Sequence, residues 1–219
     1  MNIESKQQEL AELKRRIEQL EAELSPGGRA SASATADWPP KDLYTAYYLM
    51  VGGMLGIIGA IVSLMVNFVG APAAGKSPAE LVKVYLTFPF GERALDLSAE
   101  NGSLILVFGI CLYIATGMLI GIPIYYGMVR MCGKDAPLGK RMIWGSIFSL
   151  LVWVVAFYGV LSWLQPLLFN GNWVTDPAVL PPWVAAGTHL VFGWTLALLY
   201  PWGQFTPYQP ASAQQPSGN

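Results

Sequence analysis

The chain has 219 residues, of which 53% are hydrophobic and only 12% are charged, and its formal net charge is −1. Because soluble domains carry about 25% charged residues, this composition is typical of a membrane protein. Protein–nucleic acid binding depends on clustered positive charge, so no nucleic-acid partner is predicted. The two cysteines, Cys111 and Cys132, belong to no CxxC motif or Cys/His cluster, and no metal site is predicted.

The N-terminal segment, residues 1–25, has the heptad pattern of a cytoplasmic coiled-coil helix. Six apolar residues form its seam: Ile3, Leu10, Leu13, Ile17, Leu20 and Leu24. Ile or Leu at one seam position with Leu at the other favours two parallel strands, although Lys6 interrupts the seam. In such a dimer Glu9 would face Lys14 of the partner and Arg16 would face Glu21, and both pairs attract.

The pairing partner of this helix is left open by the sequence. A homodimer and a complex with a different membrane protein both satisfy the heptad pattern, and three and a half heptads are also short enough for an unpaired helix. A helix lying on the membrane is disfavoured, because such helices are usually basic on their polar face. Residues 1–24 instead carry six acidic and four basic side chains.

Two segments lack the composition of a packed structure. Residues 26–43 are rich in Gly, Ser, Ala and Pro, which predicts a flexible linker. Residues 203–219 are polar and proline-rich, which predicts a disordered cytoplasmic tail.

Four apolar runs between these segments are long enough to cross a bilayer. They cover about 44–69, 103–128, 141–168 and 183–200, and about 20 residues of helix span the hydrocarbon core. The predicted fold is therefore an all-α membrane protein in which residues 44–202 form a four-transmembrane-helix bundle, with the lipid bilayer as its surroundings.

The distribution of basic residues predicts the orientation of these spans. Of thirteen Lys and Arg residues, six lie at or before Lys41, four lie in or beside the second interspan loop, three lie in the first and none lies in the third. Cytoplasmic loops carry the excess of Lys and Arg. We therefore expect a multi-pass integral membrane protein with both termini in the cytoplasm.

The first outer loop contains the pattern of a short helix. Ser77 in the N-cap position, Pro78 in the first turn and Glu80 closing a capping box predict its start. Pro89 and Gly91 predict its end. An amphipathic helix of this length is expected to lie in the interfacial layer of the membrane or to cap the bundle.

The spans contain few residues of the types that catalyse reactions or bind cofactors. Their central apolar stretches hold no Asp, Glu, Lys or Arg, groups that proton-coupled transport and voltage sensing normally need. His189 is the one candidate for cofactor binding, and the preferred interpretation is a hydrogen bond to a polar residue of another span, such as Asn67 or Ser162. The alternatives are axial ligation of a pigment or haem and a quinone contact; a single His provides neither bis-histidine ligation nor a metal cluster, and no cofactor is predicted.

Small residues form stripes on the first two spans. Gly52, Gly56 and Ala60 recur every four residues in the first span, and Gly117 and Gly121 repeat this spacing in the second. Small residues allow membrane helices to approach closely, so these positions are predicted to pack helices within the bundle, with a contact to another subunit as the alternative.

The layout of four spans, internal termini and a larger first outer loop resembles claudin-like and tetraspanin-like proteins. The outer loops lack the cysteine signatures of those families, so their function is not carried over. No Walker loop, nucleophile elbow or HExxH motif is present. The sequence favours a non-enzymatic scaffold or accessory subunit that assembles through its spans and its coiled coil. The first alternative is a small oligomeric channel or carrier for a neutral or lipidic solute. The second is an enzyme with a membrane-embedded site.

Overall fold

The computed structural model describes residues 3–24 and 41–206. The chain forms two compact units, Met1–Tyr44 and Thr45–Asn219. Every regular element in the described residues is helical, which confirms the all-α fold class. The α-helices are α1 (Ile3–Leu24), α2 (Lys41–Gly70), α3 (Glu80–Phe90), α4 (Ala99–Cys132), α5 (Leu138–Val154), α6 (Ser162–Phe169) and α7 (Pro182–Leu199). A π-helix covers Val155–Leu161, and 3-10 turns cover Ala71–Ala74, Gly91–Ala94 and Tyr200–Gly203.

Four segments are long and apolar enough to cross a membrane: Tyr44–Ala73, Gly102–Cys132, Leu138–Phe169 and Pro182–Gly203. The prediction of four spans in a multi-pass integral membrane protein is therefore confirmed. The third span is composite, because the π-helix joins α5 to α6 within it. The second span begins beside Gly102, whose φ of −145° interrupts α4.

α3 differs from its predicted start. The helix begins at Glu80 with Ala79 in the N-cap position and without a side-chain cap; Ser77 Oγ instead accepts a hydrogen bond of 3.4 Å from the Ala79 backbone N–H. The predicted capping box is therefore wrong. Pro89 lies inside the last turn and Gly91 ends the helix. We call the end of the bundle that carries α3 and residues 170–181 the α3 end.

The opposite end of the bundle is held by tyrosines. Tyr125 Oη donates to the Tyr200 carbonyl at 3.1 Å, and Tyr200 Oη donates to the Gly133 carbonyl at 2.8 Å. Gln204, which the sequence assigned to the tail, donates to Tyr125 Oη at 3.2 Å, and the Phe205 N–H donates to Tyr48 Oη at 3.3 Å. The described part of the predicted tail is thus attached to the bundle; residues 207–219 lie outside the described residues.

α1 is one continuous helix, as the heptad pattern requires. Its seam side chains Leu10, Leu13, Ile17 and Leu20 are exposed by 49–58%. Glu9, Lys14 and Arg16 are also exposed, whereas the side chains of Ile3, Glu21 and Leu24 lie outside the described set. The coiled-coil pairing stays a prediction. Residues 41–43 of the predicted linker belong to α2 instead, and its other residues (26–40) lie outside the described residues.

Candidate functional site

The first two spans approach each other through the predicted small residues. A Cβ atom at Gly52 would lie 3.0 Å from Ile122 Cα, and one at Gly56 would lie 3.0 Å from Gly121 Cα and closer still to the Gly117 carbonyl oxygen. A Cβ atom at Gly117 would in turn overlap the Cβ of Ala60. The structure thus brings Gly52, Gly56, Ala60, Gly117 and Gly121 together within one chain.

A cavity of about 440 Å³ lies in the bundle towards the α3 end. α4 forms one wall, and the end of α5 with the π-helix forms another. α7 contributes Ala185, Thr188, His189 and Phe192, while α3 contributes four side chains that include Tyr85. The lining is mainly apolar, and the described residues that form it include no Asp, Glu, Lys or Arg.

The π-helix is the unusual element of this cavity. Four of its seven residues, Ala156, Phe157, Val160 and Leu161, line the space. Val160 is also 40% exposed, so this wall is continuous with the surface that faces the lipid. π-helices are rare and occur frequently at functional sites, and the sequence pattern of the third span gave no sign of one.

His189 presents one unused acceptor to this region. Its Nδ1 lies 2.9 Å from the Ala185 carbonyl oxygen in the preceding turn of α7. A carbonyl oxygen can only accept, so Nδ1 carries the proton in the neutral ring and Nε2 is left as an acceptor. Within the described part of the chain no group donates to Nε2. The ring also contacts Phe157 of the π-helix edge to face, with centroids 5.7 Å apart.

The predicted partners of His189 are engaged elsewhere, so that prediction is wrong. Asn67 Nδ2 donates to Thr188 Oγ1 at 2.9 Å and to the Ser63 carbonyl at 2.8 Å, and Ser162 donates to the carbonyl of Tyr158 in the π-helix of its own span. Nδ1 of His189 bonds to the Ala185 carbonyl of its own helix. The neighbouring residue, Thr188, makes the contact with another helix.

The polar contacts beside the cavity continue through Ser63 of α2. Ser63 Oγ lies 2.9 Å from Tyr113 Oη on α4, and Tyr113 contacts the ring of Tyr85 edge to face at 5.3 Å. Ser63 and Asn67 are four residues apart in α2, a spacing that places polar side chains on one helix face. That spacing was the available signal for this cluster.

Tyr85 brings a neutral phenol to the lining. Burial raises the pKa of Tyr85 to about 12; the Thr116 side chain partly opposes this, and Tyr113 adds to it. The phenol is therefore protonated at physiological pH. Together with His189 Nε2, it gives the cavity uncharged hydrogen-bonding groups in an apolar lining.

Gln165 fixes the α3 end around the cavity. Its side chain is fully buried; Nε2 donates to Thr87 Oγ1 at 2.9 Å, and Oε1 accepts from the Val174 N–H at 3.0 Å. One amide thus joins α6, α3 and the loop that precedes α7. This residue was missed, because its partners are distant in sequence and no periodicity marks it.

The described residues contain no group of three His, Cys, Asp or Glu side chains that could hold a metal ion. Searches with the whole chain found no matching family model, no matching curated protein and no matching solved structure.

Proposed function

We propose that the chain is a membrane-embedded binding subunit or carrier for a neutral lipidic molecule, held in the 440 Å³ cavity. The proposal adopts the carrier function that the sequence left as an alternative and specifies the class of ligand. The chain binds this molecule and catalyses no reaction on it. Ligand sites are typically concave spaces of about 300–1,000 Å³ with apolar linings and a few placed polar groups. The observation that carries the proposal is Nε2 of His189, which accepts no hydrogen bond from the part of the chain that the structure describes.

The lining determines the chemical class of the ligand. A carboxylate or phosphate would enter without a cationic partner, because no Lys or Arg is among the described lining residues, and an unpaired buried charge is costly. Nε2 accepts a hydrogen bond, so the ligand supplies a donor. An apolar body with one hydroxyl group meets both requirements, and the Val160 side of the cavity gives it access from the lipid.

A photolabelling experiment on the purified protein in lipid nanodiscs tests this proposal. The probe is a long-chain alcohol that carries a diazirine, and the matched control probe is the same chain without the hydroxyl group. We expect the alcohol to label cavity-lining peptides saturably and more strongly than the control. His189→Leu should weaken labelling by the alcohol about two- to tenfold, the worth of one hydrogen bond, and leave the control probe unchanged. Equal labelling by both probes, or no change in His189→Leu, would refute the proposal.

We further propose that the chain assembles through α1, the scaffold function that the sequence favoured. The specific support is the stripe of exposed apolar side chains, Leu10, Leu13, Ile17 and Leu20. Light scattering on the full chain in mild detergent tests the homodimer. The wild type and a Gln8→Glu variant, changed outside the seam, should be dimers, and Leu13→Glu/Ile17→Glu should be a monomer. A monomeric wild type would exclude the homodimer and leave a different partner for α1.

In the same proposal both termini are cytoplasmic and the α3 end faces outwards. The support is the excess of Lys and Arg in the N-terminal segment and in the loop around Lys134. Cysteine-accessibility labelling in sealed vesicles tests it, with single cysteines placed at Ser98 and at Lys134 in a chain that lacks Cys111 and Cys132. We expect reagent from the outer side to reach position 98 and not position 134; the opposite result would reverse the orientation.

A further inference from the structure

A second cavity, of about 390 Å³, lies at the α3 end beside the first one. It is formed by the end of α2 with the turn that follows, the start of α3 and the start of α7. Thr188 lines both cavities, and its hydrogen bond with Asn67 lies at the boundary between them. The two cavities share Leu81, Val84, Leu180 and Thr188, but the lining of the second also includes charged side chains.

The lining of the second cavity carries one charge of each sign. Lys76 is exposed and Glu80 is partly exposed, and both side chains line the space. Neither takes part in an ion pair within 4 Å among the residues that the structure describes. The cavity therefore offers an ammonium and a carboxylate that do not neutralise each other.

The rest of the cavity matches the boundary of a membrane. Gly70 ends one membrane-spanning α-helix and Pro182 begins another, so the space lies where the spans meet the head-group layer. Its apolar side includes Val66, which is 49% exposed, and Trp183, which is 70% exposed. Trp is enriched at membrane interfaces, and this exposed apolar side can lie along an acyl chain.

We propose that this second cavity binds a phospholipid with a primary-amine head group. Lys76 pairs with the phosphate and Glu80 accepts charge-assisted hydrogen bonds from the ammonium group. A choline head group has no N–H to donate, and an anionic glycerol head group leaves Glu80 unpaired and repelled. The arrangement of the two charges thus selects a zwitterionic lipid with a hydrogen-bonding amine. This inference does not rest on the ligand of the first cavity.

Native mass spectrometry of the delipidated full-length protein tests the proposal. The probes are phosphatidylethanolamine, phosphatidylcholine and phosphatidylglycerol with identical acyl chains, offered at equal concentrations. The wild type should retain phosphatidylethanolamine preferentially. Lys76→Gln should weaken all three adducts, whereas Glu80→Gln should remove the preference for the ethanolamine lipid over the glycerol lipid. Each loss should be about two- to fivefold, as for a partly exposed ion pair.

Matched controls come from the same loop. Arg93→Gln and Glu92→Gln remove one charge of each sign from exposed positions that do not line the second cavity, and they should leave the lipid preference unchanged. Equal binding of the three lipids by the wild type would overturn the proposal. So would an effect of the control substitutions as large as that of Lys76→Gln and Glu80→Gln, because lipid selection would then follow overall charge.

Discussion

Asn67 of α2 donates a hydrogen bond of 2.9 Å to Thr188 of α7, and Thr188 precedes the histidine of the cavity. Thr188 Oγ1 also lies 2.8 Å from the Val184 carbonyl oxygen of the preceding turn. This one contact ties the first span to the fourth and holds the helix face that presents His189. A pair of neutral side chains thus links two spans beside the cavity.

Replacing Asn67 with Leu should destabilise the bundle by about 0.6–1.7 kcal/mol, the range for polar contacts between membrane helices. The reason is that Thr188 Oγ1 and the Ser63 carbonyl both lose a donor. Thermal unfolding in detergent measures the change. Ser162→Ala is the matched control, because among the described residues its hydroxyl donates to Tyr158 of the same span; a larger loss in the control would contradict this account.

Gly56→Ala should destabilise the bundle by about 1–3 kcal/mol, the cost of overpacking a filled interior. The added methyl group would meet backbone atoms of Gly117 and Gly121, which cannot move aside as a flexible side chain could. Unfolding by increasing fractions of a denaturing detergent measures the effect. Gly139→Ala, at a helical position with open space around it, should be neutral or slightly stabilising; similar losses at both positions would show that packing is not the cause.

Gln165→Leu should loosen the α3 end more than it lowers global stability. The substitution leaves the Val174 N–H buried without its acceptor, which costs about 1–3 kcal/mol. Hydrogen exchange of residues 170–181 should therefore accelerate, while exchange in α4 stays slow. Ala178→Ser, at an exposed position of the same loop, is the control. Unchanged exchange in Gln165→Leu would mean that the amide does not hold the loop.

Because of Tyr85, we expect the free energy of unfolding to fall at high pH. Its ordinary pKa is 10.0 and burial raises the folded-state pKa to about 12. Below pH 10 the phenol is protonated in both states, so it adds no pH dependence. Between pH 10 and about 12 the unfolded state releases the proton first, and the free energy of unfolding falls. Melting temperatures of Tyr85→Phe should fall less steeply than wild type over this range; parallel curves would contradict the prediction.

The helices of the bundle could be predicted because the bilayer imposes a simple rule on the sequence. Runs without charge must cross as helices, since lipid offers no partners for backbone groups, and the four runs follow this rule. The spacing of Gly52 and Gly56 likewise carried usable information, because one helix turn separates successive contacts. These features depend on local sequence alone.

The cavity could not be predicted, because it depends on how the spans are placed in three dimensions. The sequence gives no sign that Val155–Leu161 widens into a π-helix, or that Gln165 and Thr87, 78 residues apart, form one buried contact. The sequence identified His189 as unusual. Its predicted hydrogen-bond partner was wrong, because the Ala185 carbonyl of its own helix is the nearer acceptor. Polar residues inside apolar runs identified the region without giving its geometry.

The most direct measurement is the amount of neutral lipid that stays bound to the purified protein, extracted and counted by mass spectrometry. Ala156→Trp adds a bulky side chain at a position of the π-helix that lines the cavity, whereas Ala115→Trp adds the same side chain at an exposed position of α4 outside the lining. We predict about one hydroxylated neutral lipid per chain in wild type and in Ala115→Trp, and none in Ala156→Trp with the fold intact. The absence of such a lipid from the wild type, or its retention after Ala156→Trp, would contradict the account.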